Sequence, residues 1–78
     1  MDRIDAELDV QGLDCPMPLL KAKRALNGME GGERLRVVAT DPGSARDFEA
    51  FARLSGNPLI ESHSSAGVYT FVLQKKAE

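Results

Sequence analysis

The sequence predicts an α/β fold, a two-layer sandwich with two helices on one face of a four-stranded mixed sheet. Residues 4–10 alternate between apolar and charged side chains, two later segments repeat apolar residues at helical spacing, and segment 68–74 is rich in β-branched and aromatic residues. The element order is βαβαββ. A helix links the first two strands, so they should be parallel with a right-handed crossover. A two-residue turn should make the last two antiparallel.

The first helix is predicted to run to about Asn27, with Pro16 and Pro18 opening it. Proline suits the first helical turn because the amides there have no intrahelical partner. Gly28 follows as the helix end. The apolar positions fall on one face at helical spacing, and they are Leu19, Ala22, Ala25, Leu26 and Met29.

The remaining elements follow from the same patterns. Residues 33–40 are predicted to form the second strand, with Leu35, Val37 and Ala39 on one face. The second helix, about 45–55, is expected to begin with Ser44 as its N-cap, and Asp47 completes a weak capping box. Residues 59–64 and 68–74 are predicted as the third and fourth strands. The second helix is expected to bury Ala45, Phe48, Phe51 and Ala52.

Size and composition exclude several classes of function. The chain of 78 residues has room for one domain, predicted as residues 1–78. A net charge of −2 provides no basic field for nucleic acid, so no direct nucleic-acid binding is expected. No apolar run approaches the roughly 20 residues that span a bilayer, and the N-terminus does not resemble a signal peptide. We expect a cytoplasmic monomer without membrane association, metal or cofactor.

The chain has one cysteine, Cys15, and one histidine, His63. A lone thiol cannot form an intramolecular disulfide or a CxxC pair, and with one histidine it cannot complete a zinc site. His63 lies in a strand without a surrounding motif, so a solvent-facing position is expected rather than a role as a base. Cys15 therefore acts either alone or with another molecule.

Cys15 follows the first strand and is expected at the N-cap of the first helix. Free amides and the positive end of the helix dipole favour the thiolate there, so the pKa of Cys15 is expected to lie below that of a free thiol. Because prolines have no N–H, the amides of Met17 and Leu19 are the expected donors to an anionic sulfur. The alternative is a buried cysteine that acts as a small hydrophobe.

A candidate docking patch lies beside the thiol. Met17 and Leu20 fall outside the apolar stripe of the first helix, one turn apart, and are expected to be exposed. Lys21 and Arg24, with Lys23, form a basic face that could steer an acidic partner. The alternatives are that the two apolar side chains pack partly against loop 11–14 and that the basic face is only solvated.

The chain also resembles a known family in its motifs. The similarity covers about residues 6–75 and agrees in strand and helix order. The residues that carry the resemblance are Leu8-Asp9 through Gly12-Leu13, Cys15-Pro16-Met17-Pro18, the Asp41-Pro42 turn and Arg46-Asp47. They resemble the TusA/SirA family of sulfurtransferases, whose signature is CPxP.

The resemblance implies a function for the thiol. Cys15 would accept sulfane sulfur as a persulfide from a cysteine desulfurase or a rhodanese. It would pass the sulfur to an acceptor protein in tRNA thiolation, molybdenum-cofactor assembly or sulfur metabolism. The implied persulfide-stabilising motif comprises Gly12, Pro16, Met17, Pro18 and Leu19.

The sequence departs from the best-known tRNA-thiolation members at two positions. Asp14 and Met17 stand where those members commonly carry Arg and Glu, which bears on the choice of partners. One alternative function is a non-catalytic regulatory or interaction module of the same fold, which would not need a thiol at this position. The other is RNA binding, against which the net acidity argues.

Overall fold

The computed structural model describes residues 3–77. The order of elements confirms the predicted βαβαββ arrangement. In the sheet the strands follow the order β1-β2-β4-β3, with β1 parallel to β2 and with β4 antiparallel to both β2 and β3. The elements are β1 Ala6–Val10, α1 Met17–Asn27, β2 Arg34–Ala39, α2 Ser44–Ser55, β3 Leu59–Ser65 and β4 Val68–Gln74.

The core lies between one face of the sheet and the two helices. At its centre the rings of Phe48 on α2 and Phe71 on β4 pack with their centroids 4.7 Å apart. The predicted apolar faces of both helices and of β2 are confirmed, since all their members are either buried or packed against the core. The fully buried members of this cluster are Val10, Ala22, Leu26, Leu35, Val37, Ala39, Phe48, Phe71 and Leu73.

The predicted capping box at the start of α2 is wrong. Gly43 is the N-cap, and no side chain caps the helix. The amide of Ser44 donates to the carbonyl of Asp41 at 3.0 Å, which closes the turn and places Ser44 in the first turn of the helix. The side chain of Ser44 is buried as a result, whereas Asp47 accepts a hydrogen bond from another part of the chain.

Candidate functional site

Two loops meet at one edge of the sheet. The parallel strands β1 and β2 end together, with Val10 paired to Ala39, so the segments that follow them lie side by side. The amide of Gly12 donates to Oγ1 of Thr40 at 2.8 Å and fastens the first loop to the end of β2. Gly12 has a φ of 82°, a left-handed conformation that favours glycine. This hydrogen bond, which we call the Gly12–Thr40 clasp, fixes the start of the loop that carries Cys15.

Cys15 lies on an exposed corner of this loop. It precedes Pro16, the N-cap of α1, so it stands one residue further from the helix than predicted. The Cys15–Pro16 peptide bond is cis. Pro16 is exposed, whereas Pro18 is fully buried and anchors the first turn of α1 in the core. The alternative of a buried, inert cysteine is therefore wrong.

The thiol has a partner that sequence analysis did not assign. Sγ of Cys15 donates a hydrogen bond to Oδ2 of Asp47 at 3.0 Å, although the two residues lie 32 positions apart. Asp47 belongs to the first turn of α2 and is half-buried. Two sequence signals could have found it. The predicted parallel strands bring the two loops together, and Asp47 is part of the family resemblance.

The expected lowering of the pKa of Cys15 is wrong. The hydrogen bond to Asp47 raises the pKa above its ordinary value of 9.0, and partial desolvation and the charges of Asp47 and Asp41 act in the same direction. A helix N-terminus carries only about half an elementary charge, whose effect fades beyond the first turn. Full negative charge in contact with the thiol outweighs it. In the free protein Cys15 is therefore held as a thiol.

One of the two expected amide donors is already used. The amide of Met17 donates to the carbonyl of Asp14 at 2.8 Å, so the prediction that it faces the sulfur is wrong. The amide of Leu20 donates to the carbonyl of Pro16 at 3.0 Å. Leu19 remains the predicted donor to an anionic sulfur.

An open groove of about 370 Å³ runs along α1. Met17 and Leu20 are 42% and 48% exposed, which confirms their predicted exposure. The groove is lined by Leu8, Met17, Leu20, Lys21, Arg24 and Ala25. The structure thus brings the apolar pair together with two cations. We call this surface the α1 groove.

Lys23 does not share this surface. Its Nζ lies over the ring of Phe51 on α2, 6.0 Å from the centroid, which is at the limit of a cation–π contact. All three cations of the predicted basic face are exposed. Only Lys21 and Arg24 line the α1 groove.

Comparison with known proteins identifies the family. The family model of sulfurtransferase TusA matches residues 6–75. The chain belongs to the TusA family. A solved structure with the same fold is the SirA-like protein from Desulfitobacterium hafniense, with a TM-score of 0.78 and 25% identity, covering 91% of this chain and 97% of that one. The resemblance predicted from the CPxP motif is confirmed at the level of the family.

Curated relatives in the TusA family match nearly the whole chain. The sulfur carrier protein TusA of Allochromatium vinosum is 51% identical over 75 residues, which are 96% of this chain and 99% of that protein. A putative sulfur carrier protein of Neisseria meningitidis serogroup A is 51% identical and covers 88% of this chain and 93% of its own. The sulfur carrier protein TusA of Pseudomonas aeruginosa is 37% identical, covering 96% and 95%.

The raised pKa gives this TusA-family site a measurable pH dependence. The thiolate is the form that reacts with iodoacetamide, and the carboxylate of Asp47 opposes it. We expect the alkylation rate of Cys15 to rise with pH through a midpoint above the ordinary 9.0, and to be slower at pH 7 than that of free cysteine. A midpoint below that of free cysteine would mean that the helix dipole prevails over Asp47.

Of two other polar residues, Asp9 fixes a loop and His63 faces solvent. Asp9 accepts the amide of Gln11 at 3.0 Å and fixes the loop after β1. His63 is exposed on β3, the strand at the opposite edge of the sheet from β1, which confirms a solvent-facing histidine. His63 pairs with Thr70 and Thr70 pairs with Val38, on the sheet face away from the core. It is not placed to act as a base for Cys15.

In residues 3–77, no group of three or more His, Cys, Asp and Glu side chains could hold a metal ion. In the same range, no helix combines the length and the apolar content needed to cross a membrane.

Proposed function

We propose that this TusA-family chain is a sulfurtransferase that works as a persulfide relay. Cys15 accepts a sulfane sulfur from a donor protein, a cysteine desulfurase or a rhodanese, and passes it to an acceptor protein. The observation that carries the proposal is the exposed thiol at the start of α1, the chain's single cysteine, in the family's signature position. The names of the relatives in Allochromatium vinosum and Pseudomonas aeruginosa, both sulfur carrier proteins, support it.

A single thiol is sufficient for this chemistry. Its sulfur attacks the terminal sulfur of a donor persulfide, and a new S–S bond forms on Cys15. The S–S bond of the donor breaks, and the cysteine sulfur of the donor leaves with the electron pair. The sulfane sulfur changes partner without net oxidation or reduction. Attack by an acceptor thiol on the persulfide of Cys15 repeats the same exchange. No second cysteine of this chain takes part in either step.

The exposure of Cys15 suits transfer between proteins. An exposed sulfur on a corner can enter the active site of a donor and then that of an acceptor. The buried ring of Pro18 and the Gly12–Thr40 clasp hold the backbone on either side of that corner. The geometry therefore supports a carrier that presents its cargo to other proteins.

We further propose that the α1 groove docks these partners. Its apolar side chains, Met17 and Leu20, are exposed on the first turn of α1, which follows Cys15 in the chain, and a flexible methionine can adapt to more than one surface. Lys21 and Arg24 line the same groove and favour a partner with acidic residues around its own reactive cysteine. A partner of this charge would be guided toward the thiol.

The test is sulfur loading of the intact protein. We expect incubation with a cysteine desulfurase and cysteine, without added reductant, to increase the mass by one sulfur atom. Cyanide should release that atom as thiocyanate, which identifies sulfane sulfur. A protein that gains no sulfur from the desulfurase or from glutathione persulfide would contradict the relay.

A further inference from the structure

The hydrogen bond between Cys15 and Asp47 joins two separate elements at the reacting atom. Asp47 is held in place because its amide donates to the carbonyl of Gly43 at 3.2 Å in the first turn of α2. Its Oδ2 lies 3.0 Å from Sγ of Cys15. The other carboxylates of this region are Asp41, whose charge also acts on the thiol, and Asp14, the chain neighbour of Cys15. Among these three, Asp47 accepts the hydrogen of the thiol.

Sulfur transfer to a thiol must release a proton. Sγ of Cys15 carries this proton in the free protein, and it cannot keep the proton once it has formed an S–S bond. We propose that Asp47 is a catalytic residue of the relay, whose carboxylate takes the proton of Cys15 as Sγ attacks the donor sulfur. This inference rests on the proposed relay function.

The energetics of the step favour proton transfer during the attack. Before the reaction the proton belongs to sulfur, because a thiol is a far weaker acid than a carboxylic acid. As Sγ donates its electron pair to the sulfane sulfur, its affinity for the proton falls, and the proton moves to the stronger base. A positioned base in hydrogen-bond contact is what such a step requires. Asp47 already has this contact at rest.

The step balances in atoms and charge. The donor is a cysteine persulfide anion, the class of substrate that the relay takes. A bond forms between Sγ of Cys15 and its terminal sulfur, and the S–S bond of the donor breaks. The donor cysteine leaves as a thiolate with the electron pair, and Asp47 holds the proton. That proton then passes to the donor thiolate, and Asp47 is again ionised beside a persulfide on Cys15.

This role predicts opposite effects of one substitution. Asp47→Asn removes the charge that opposes the thiolate, so iodoacetamide should alkylate Cys15 several-fold faster at pH 7. The same change removes the proton acceptor, so single-turnover loading from glutathione persulfide should slow by about 10²-fold, the lower end of general acid–base contributions. If Asp47 only raised the pKa of Cys15, the Asp47→Asn variant would be faster than the wild type in both alkylation and sulfur loading. Stopped samples analysed by mass spectrometry give both rates.

Two further variants complete the test. Asp47→Glu keeps a carboxylate and should load within about tenfold of the wild-type rate, which excludes general damage to the site as the cause. Glu49→Gln removes the same charge from an exposed position of α2 and should change neither rate. Loading of Asp47→Asn at or above the wild-type rate would overturn the role of Asp47 and leave the relay intact. Failure of the wild-type protein to load would instead overturn the relay itself.

Discussion

Replacing Cys15 by serine is expected to abolish sulfur loading completely. The hydroxyl of serine can still donate a hydrogen bond to Asp47, so the variant keeps the geometry of the site and loses only the reactive sulfur. A neutral alcohol is a poor nucleophile and cannot form the S–S bond that carries the cargo. Because Cys15 is exposed, the free energy of unfolding should change by less than about 0.5 kcal/mol. Mass spectrometry after incubation with a desulfurase and cysteine measures the outcome.

Wild-type protein alkylated at Cys15 is the matched chemical control and should load no sulfur either. An equal melting temperature for wild type and Cys15→Ser would show that the loss is chemical and not structural. If Cys15→Ser gained one sulfur atom as the wild type does, the cargo would reside on another group. Cys15 would then not be the carrier.

Leu26→Ala is expected to destabilise the fold strongly. Leu26 is 1% exposed and packs in the core on the buried face of α1. Truncation of a buried leucine costs about 2–5 kcal/mol, because apolar contacts are lost and a cavity remains. A small domain has only about 5–15 kcal/mol of stability in total. Each kcal/mol should lower the melting temperature by about 4–8 °C, as thermal unfolding followed by circular dichroism would show.

The surface comparison for Leu26→Ala is the double change Met17→Ala with Leu20→Ala. Both side chains are about half exposed, so the double variant should melt close to the wild-type temperature. It should keep the alkylation rate of Cys15 and yet exchange sulfur with a protein donor more slowly, since a docking residue contributes to binding. Melting like Leu26→Ala would place the pair in the core. Wild-type sulfur exchange would contradict docking at the α1 groove.

The sequence by itself determined the order of the elements and the position of the thiol. Period-two alternation and helical spacing report which face of each element is buried, and burial of Val37 and Leu26 follows from them. The same spacing correctly placed Met17 and Leu20 outside the apolar stripe. The single cysteine beside two prolines marked the candidate site, and the structure places this cysteine on an exposed corner.

Tertiary structure decided the electrostatics of the site. Helical spacing tells which side of α2 is apolar, but it does not tell what a polar residue on that helix meets. The parallel pairing of β1 and β2 brings Asp47 to within 3.0 Å of Sγ, so the carboxylate overrides the helix dipole and raises the pKa of Cys15. Lys23 likewise turned to Phe51 rather than to the α1 groove. These contacts join residues far apart in the chain, and only the packing of the two helices on the sheet determines them.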